Sequence, residues 1–191
     1  MSDALKYAEN GGPYTYADYE KFPADVRYEL IDGEAYMMSS PILWHQDIVL
    51  EIAGQLRDFF KGKPCKPIIG PFDVRLFPKD DDSDDTVVQP DLMVICDMDK
   101  LSGEKACRGA PDFIIEVLSS STRSRDLVVK RDKYEKAGVK EYWIVSQDLI
   151  RQYVLADGKY SEAVHIIGAE PIEVPSHLFE GLVLRFDPNL A

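Results

Sequence analysis

Two acids stand in this chain where acids are costly. Alternation along residues 87–96 would put Val87, Gln89, Asp91, Met93 and Ile95 on one strand face, with Asp91 in the middle of an apolar row. Glu116 repeats the anomaly in residues 112–118, where it shares a face with Ile114 and Leu118 in a run apolar on both sides, the pattern of a central buried strand. A carboxylate in an apolar layer needs compensation. If the two strands are neighbours, two like charges converge, and a divalent cation held by oxygen ligands is the economical way to keep both ionised. A lone acid in a strand usually faces solvent, and Asp91 could simply follow Pro90 in a turn-like strand start. Two such acids on successive strands make the joint accident rarer.

Lys130 is the third element. Leu127, Lys130, Tyr134 and Ala137 fall at i, i+3, i+7 and i+10, a single helical face that should pack on the sheet. Lys133 and Lys136 sit off that stripe. On helix geometry alone, a lysine whose stem is buried and whose ammonium reaches water is as good a reading. Upstream, Asp32-Gly33 between Tyr28-Glu29-Leu30-Ile31 and Glu34-Ala35-Tyr36-Met37-Met38 signals a two-residue hairpin. That register pairs Ile31 with Glu34 and Glu29 with Tyr36, so Glu29 and Glu34 share a face and either could offer a further oxygen. Hairpin acids are nonetheless usually solvated. His45 lies one turn before the apolar stripe Val49, Ile52, Leu56 and Phe59; it could orient a phosphate or a water, and a satisfied core histidine is the commoner case.

The elements that must carry these residues follow from pattern and punctuation. Residues 1–12 read as a flexible tail. Thr15 and Asp18 form a capping-box pattern for a short helix ending at Pro23. An amphipathic helix is expected over residues 43–61, stopped by Gly62 and Pro64. Strands are expected over 68–77 and 87–96, separated by Pro78-Lys79 and the acidic run 80–85, which reads as a solvated hairpin tip. The Ser119-Ser120-Ser121-Thr122 cluster supplies N-caps for a helix reaching Ala137, with Gly138 as its stop. Strands then follow over 141–145, 152–155, 160–166 and 182–186, with Asp157-Gly158 as a second tight turn. The result is a single mixed α/β domain over residues 1–191, with an N-terminal β-hairpin and a β-rich C-terminal end.

Composition narrows the class. A chain of 191 residues with 45% hydrophobic and 29% charged residues is a soluble globular protein of one-domain size. No apolar run is long enough to cross a bilayer, and the start lacks a signal-peptide pattern. Three cysteines, Cys65, Cys96 and Cys107, give an odd count without zinc-ligand spacing; neither a disulfide framework nor a structural zinc is expected, and the cytoplasm is the default compartment. The net charge of −12 argues against a protein that coats nucleic acid by bulk electrostatics. Residues 123–140 nevertheless hold seven Lys/Arg against three Asp/Glu, so an anionic substrate should approach there.

The ordered motifs Glu29-Leu-Ile-Asp-Gly-Glu34, His45 opening a helix, Gln89-Pro90-Asp91, Ala110-Pro-Asp-Phe-Ile-Ile-Glu116-Val-Leu-Ser119, Ser121-Thr-Arg123 to Asp126, and Lys130 through Ala137-Gly-Val-Lys-Glu-Tyr-Trp-Ile-Val145 resemble the Uma-family restriction endonucleases of the PD-(D/E)XK nuclease superfamily. The similarity runs from about Tyr16 to Phe186. It implies a restriction-endonuclease-like core: a helix, a three-stranded antiparallel unit, a second helix and a fourth strand. The superfamily's Pro-Asp acid matches Pro90-Asp91 and its second acid matches Glu116. The lysine that would stand two residues after the acid is replaced by Leu118, and the resemblance places it on the following helix, at Lys130.

These readings converge on a metal-dependent DNA endonuclease. Asp91 and Glu116, with Glu29 as a further candidate, would hold Mg²⁺ or Mn²⁺; Lys130 would position water or stabilise charge on the phosphate; His45 would assist; Arg123 and Arg125 would contact substrate phosphates. A homodimer is what cutting two strands would ask for, by analogy alone. The alternatives are a non-cleaving binding or regulatory protein that keeps the nuclease fold, and a metal-dependent phosphoesterase on a small substrate. The acidic balance suits both.

Overall fold

The computed structural model describes residues 6–7, 13–103, 105–118 and 125–188, with side chains described from residue 13 onward apart from those of 125–127. In chain order the elements are β1 (Lys6–Tyr7), α1 (Tyr16–Tyr19), β2 (Tyr28–Ile31), β3 (Glu34–Met37), α2 (Leu43–Phe60), β4 (Lys66–Ile69), β5 (Asp73–Arg75), β6 (Val87–Val88), β7 (Leu92–Ile95), a 3₁₀ turn (Met98–Leu101), β8 (Ala106–Arg108), β9 (Phe113–Val117), a π-helical turn (Arg125–Lys130), α3 (Arg131–Ala137), β10 (Glu141–Val145), β11 (Leu149–Ala156), β12 (Lys159–Ile166), β13 (Ile172–Pro175) and β14 (Val183–Phe186). They form two six-stranded sheets and a two-stranded one: β1-β3-β2-β6-β5-β8, β12-β11-β10-β9-β7-β4, and β13-β14.

Within the second sheet, β7 lies between β4 and β9 and runs antiparallel to both, and β10 joins β9 in parallel after the crossover through α3. With α2 preceding them, this is the expected order of helix, three antiparallel strands, helix and fourth strand. The sheet is covered on both faces. On one, Ile48, Val49, Ile52 and Leu56 of α2 pack against Leu92, Val94, Phe113, Ile115 and Trp143, with Val174 and Leu184 of the small sheet closing the same core. On the other, Met93, Ile95, Ile114 and Ile144 meet Tyr134 of α3 and Ile31, Val74 and Val88 of the first sheet. Burial on both faces explains why residues 113–117 read as unbroken apolar sequence.

Five expectations are corrected. The strands expected over 68–77 and 87–96 are each broken, at Gly70–Pro71 and at Pro90, so each run serves both sheets: β4 and β7 belong to one, β5 and β6 to the other. Proline has no N–H for a ladder, and the break resets the alternation. Val88 therefore shares a core with Met93 and Ile95, whereas Val87 packs with Leu30 and Ala35. The expected uniform face through 87, 89, 91, 93 and 95 does not exist.

The second correction concerns the helix before Gly138, where residues 125–130 are π-helical and the α-helix begins at Arg131. Third, Lys6–Tyr7 is not a loose tail but pairs with β3 through Tyr36 and Ala35; the rest of 1–12 lies outside the described residues. Fourth, the acidic run is not merely a solvated tip. Asp84 is buried and holds Arg75 in a bidentate pair, Asp82 holds the same guanidinium at 2.7 Å, and the Asp84 and Asp82 carbonyls accept from the backbone N–H groups of Tyr16 and Ala17. Fifth, Cys65 and Cys96 form a disulfide. They become cross-strand neighbours only through the β4–β7 register that pairs Lys66 with Ile95, a fact that counting cysteines could not supply.

The hairpin turns behave as read. Asp32 and Gly33 both have positive φ, as do Asp157 and Gly158, the backbone a two-residue turn of this hand requires. A Cβ at Gly33 would also lie 2.5 Å from Pro13, so glycine is needed there twice over. The last strand is found at Val183–Phe186, paired with β13, a partner the sequence reading did not anticipate.

Candidate active site

The site forms where the broken strands meet. In the antiparallel β7–β9 register Leu92 faces Ile115 and Met93 faces Ile114, so one step further Asp91 faces Glu116. The paired stretch of β7 begins at Leu92, and next to it the Asp91 side chain serves as an acceptor: the Val117 N–H donates to Asp91 Oδ2 at 2.8 Å. The same oxygen lies 3.2 Å from His45 Nε2, near the start of α2. Asp91 Oδ1 has no protein partner among the described residues. The Asp91 N–H points back at Glu116 Oε2, 3.4 Å away.

Glu116 is 3% exposed and Lys130 2% exposed. Lys130 Nζ donates to Glu116 Oε1 at 2.9 Å and stands 2.7 Å from Glu29 Oε1. Tyr134, one turn after Lys130, donates its hydroxyl to the same Glu116 oxygen at 2.7 Å. Glu29, 1% exposed, also accepts from the backbone N–H of Gln89 at 2.9 Å. Thus β2, the residue just before β7, β9 and the end of the π-helical turn each contribute one charged group, and α2 adds the imidazole. Two of the three carboxylates, Glu29 and Glu116, share the ammonium. Acids gathered in a low-dielectric setting repel one another, and a bound cation is one way to offset that cost.

A cavity of about 130 Å³ opens on this cluster, lined among others by Glu29, His45, Asp91, Glu116, Val117 and Lys130. Asp91, Glu116, Lys130, Glu29 and His45 are therefore gathered at one place. Glu34 is not: it is exposed and accepts from the Tyr36 hydroxyl at 2.8 Å. Arg123 lies outside the described residues, and Arg125 opens the π-helical turn with its side chain outside them. The neighbouring basic segment is largely spoken for. Lys133 pairs with Asp32, Arg131 with Asp132 and Lys140 with Asp112, so part of its positive charge is already matched within the chain.

Among the described residues no three His, Cys, Asp or Glu side chains cluster tightly enough to cage a metal unaided. The donors at hand, Asp91 Oδ1 and the Glu116 carboxylate, are hard oxygens on neighbouring residues that line one cavity. That set fits Mg²⁺ or Mn²⁺, since Mg²⁺ takes one or two carboxylates and keeps its remaining positions for water and substrate phosphate. His45 Nδ1 is buried with no protein partner. With Nε2 donating to Asp91, Nδ1 is left as an unfilled acceptor.

Two participants escaped the sequence reading. Tyr134 was legible only as a packing residue, although its position four residues after Lys130 on the same face is a usable signal. Gln89 looked like one more member of an alternating strand. Its backbone N–H serves Glu29, and its side chain bonds Arg27 Nε at 3.0 Å, Asp73 Oδ1 at 2.8 Å and the Tyr19 hydroxyl at 3.2 Å.

Among known proteins, the model of the Uma2 family, described as "Putative restriction endonuclease", matches residues 14–187. A crystal structure of a "putative nuclease belonging to DUF820" from Anabaena variabilis ATCC 29413 superposes with a TM-score of 0.67 at 18% identity, over 87% of this chain and 92% of that one. At that identity the likeness speaks for the fold. No curated protein matches. Among the described residues no helix is long and apolar enough to cross a membrane.

Proposed function

We propose that this chain, which belongs to the Uma2 family of restriction-endonuclease type, is a metal-dependent DNA endonuclease that hydrolyses phosphodiester bonds at the cavity between Asp91 and Glu116. The observation that carries this reading is the facing pair itself, with an ammonium on one member and an unpartnered oxygen on the other. Asp91 Oδ1 and Glu116 would hold Mg²⁺ or Mn²⁺. When bound, such a cation supplies Lewis-acid polarisation of a phosphoryl oxygen and acidifies a water.

The chain's own groups do the rest. The Val117 N–H and His45 fix the Asp91 carboxylate, so its free oxygen is held ready at no further cost in rotamer entropy. Tyr134 does the same for Glu116. Lys130 Nζ, shared between Glu29 and Glu116 on a residue that lines the cavity, stabilises negative charge developing on the phosphate. Glu29 keeps that ammonium in place. A homodimer would bring two such sites to the two strands of a duplex.

The test is cleavage of plasmid, linear duplex and single-stranded DNA with Mg²⁺ or Mn²⁺, comparing the wild type with Asp91→Ala and Lys130→Ala. Loss of cleavage in Asp91→Ala, and a drop of about 10²–10³-fold in Lys130→Ala, is expected. Unchanged cleavage in Asp91→Ala would remove the assignment. A second reading is favoured by one observation: Lys130 already neutralises part of the cluster, as a non-cleaving nuclease-fold binding protein would need. Metal titration separates the two, because that protein has no reason to bind Mn²⁺ through Asp91.

A further inference from the structure

A second cavity, of about 310 Å³, lies on the other side of Gln89 and Arg27, which line both it and the first. Its walls include Tyr16, Tyr19, Phe22 and Tyr28, rings packed on one another at centroid distances of 5.2 to 6.1 Å. Its floor is polar. Asp73 Oδ1 accepts from the Tyr19 hydroxyl at 2.9 Å and from Gln89 Nε2, and this fixes the carboxylate while leaving Oδ2 without a protein partner among the described residues. Arg27 is exposed; its Nε is tied to Gln89 Oε1, and its two terminal nitrogens have no protein partner among the described residues. Lys105, paired with Glu20 at 3.5 Å, stands at the rim.

An aromatic wall, a fixed acceptor at its base and a free guanidinium on the partition describe a binding place for one kind of chemical group. Flat π-systems stack on such rings. A carboxylate oxygen accepts from the exocyclic amino group of cytosine, and adenine carries an equivalent donor, whereas thymine offers an acceptor there. A guanidinium between the cavities suits the phosphate that would join what occupies them.

We propose that the second cavity is a nucleobase subsite. It takes an unpaired cytosine or adenine from a nucleotide beside the scissile phosphate, stacking it on the Tyr19–Phe22 wall, with Asp73 accepting from its amino group and Arg27 holding the intervening phosphate. This inference rests on the reading above that DNA is the substrate. It predicts that distorted or unpaired DNA is preferred over regular duplex, because a base must leave its stack to reach the cavity.

The experiment measures the affinity of the metal-free protein, in EDTA, for a short fluorescent duplex carrying one extrahelical cytosine, adenine, thymine or abasic site. Cytosine and adenine should bind about tenfold tighter than thymine or the abasic site. Asp73→Asn, which keeps the acceptor for Tyr19 and Gln89 and turns the other oxygen into a donor, should reverse the cytosine–thymine order. Phe22→Leu should weaken the base-carrying duplexes about tenfold and the abasic one little. Arg27→Ala should weaken all four alike. Equal affinity for all four in the wild type, or an unchanged order in Asp73→Asn of native circular dichroism, overturns the subsite. Asp91-dependent cleavage with Mn²⁺, run in parallel, tells which idea failed. Cleavage with equal binding discards the subsite alone, whereas neither cleavage nor binding of any DNA discards both.

Discussion

Glu116 and Glu141 lie on neighbouring parallel strands, near the end of β9 and at the start of β10, and both are buried. Their surroundings differ in kind. Glu141 accepts five hydrogen bonds from neutral donors: Trp143 Nε1 at 2.6 Å, Gln152 Nε2 at 2.9 Å, Ser176 Oγ at 2.6 Å, and the backbone N–H groups of Leu178 at 2.9 Å and His177 at 3.3 Å. Every donor comes from β10, β11 or the loop before β14, so the carboxylate clasps the small sheet to the large one. Glu116 instead accepts from an ammonium and a phenol, faces a second carboxylate, and opens on a cavity. Burial of an acid is thus no sign of chemistry by itself. A sealed, fully donated carboxylate is a fastener; one that shares a cation with other acids and meets a cavity has lone pairs to lend.

The comparison can be broken at either end. The largest expected effect is structural: Glu141→Leu strands five donors and should lower unfolding free energy by about 5 kcal/mol, read from the urea midpoint, with Mn²⁺ affinity unchanged in the protein that remains folded. Lys130→Met should cost about 3–5 kcal/mol in EDTA, since it leaves Glu29 and Glu116 without their shared cation. Added Mn²⁺ should stabilise this variant more than the wild type; equal stabilisation would mean that the metal does not share Glu116. Glu116→Gln preserves the acceptor for Lys130 and Tyr134 and should change stability by only about 1–2 kcal/mol, yet reduce cleavage about 10²–10³-fold.

A smaller effect concerns pH. Burial raises the Asp73 carboxyl above its ordinary range, opposed by the hydrogen bonds from Gln89 and Tyr19 and by the charge of Arg27, and reinforced by Glu29. A folded-state value above the unfolded one means that the folded state holds the proton longer. The stability this contributes is complete below the unfolded value and is lost as pH rises through the raised one. Asp73→Asn should therefore gain on the wild type at neutral pH, and the gain should shrink on acidification through that window; a pH-independent difference in melting temperature would contradict it. The smallest change is expected at the exposed Lys133–Asp32 pair, where Asp32→Asn should cost less than about 1 kcal/mol and less still in high salt.

Much of the site could be read in the chain because each acid interrupts a run whose period is visible. Asp91 and Glu116 stand out against apolar neighbours and Lys130 against a helical stripe, while the register of the two-residue turn offers Glu29 and Glu34 alike and leaves the choice to burial. The alternation that singles out Asp91 does not cross Pro90; Asp91 belongs to the β7 side of the break, and only the β7–β9 register sets it against Glu116. Glu141 gave no local signal, because its five donors arrive from 2 to 37 residues downstream. Asp84 was hidden in a run of like charges whose members look interchangeable until one of them meets a buried Arg75. Cys65 and Cys96, 31 residues apart, depended in the same way on a strand pairing that spacing does not specify.

Lys130 ends a π-helical turn and brings its amine to Glu116 from a helix, not from the strand that carries the acid. Leu118, where a strand-borne lysine would stand, packs instead into the apolar layer beneath α3, and the amine arrives from the helix above. A π-turn accommodates an extra residue within a helix, so a side chain there can change its angular setting without rebuilding the sheet. A search keyed to spacing on one strand would pass this protein by, whereas one keyed to the triangle of two carboxylates and an amine would find it.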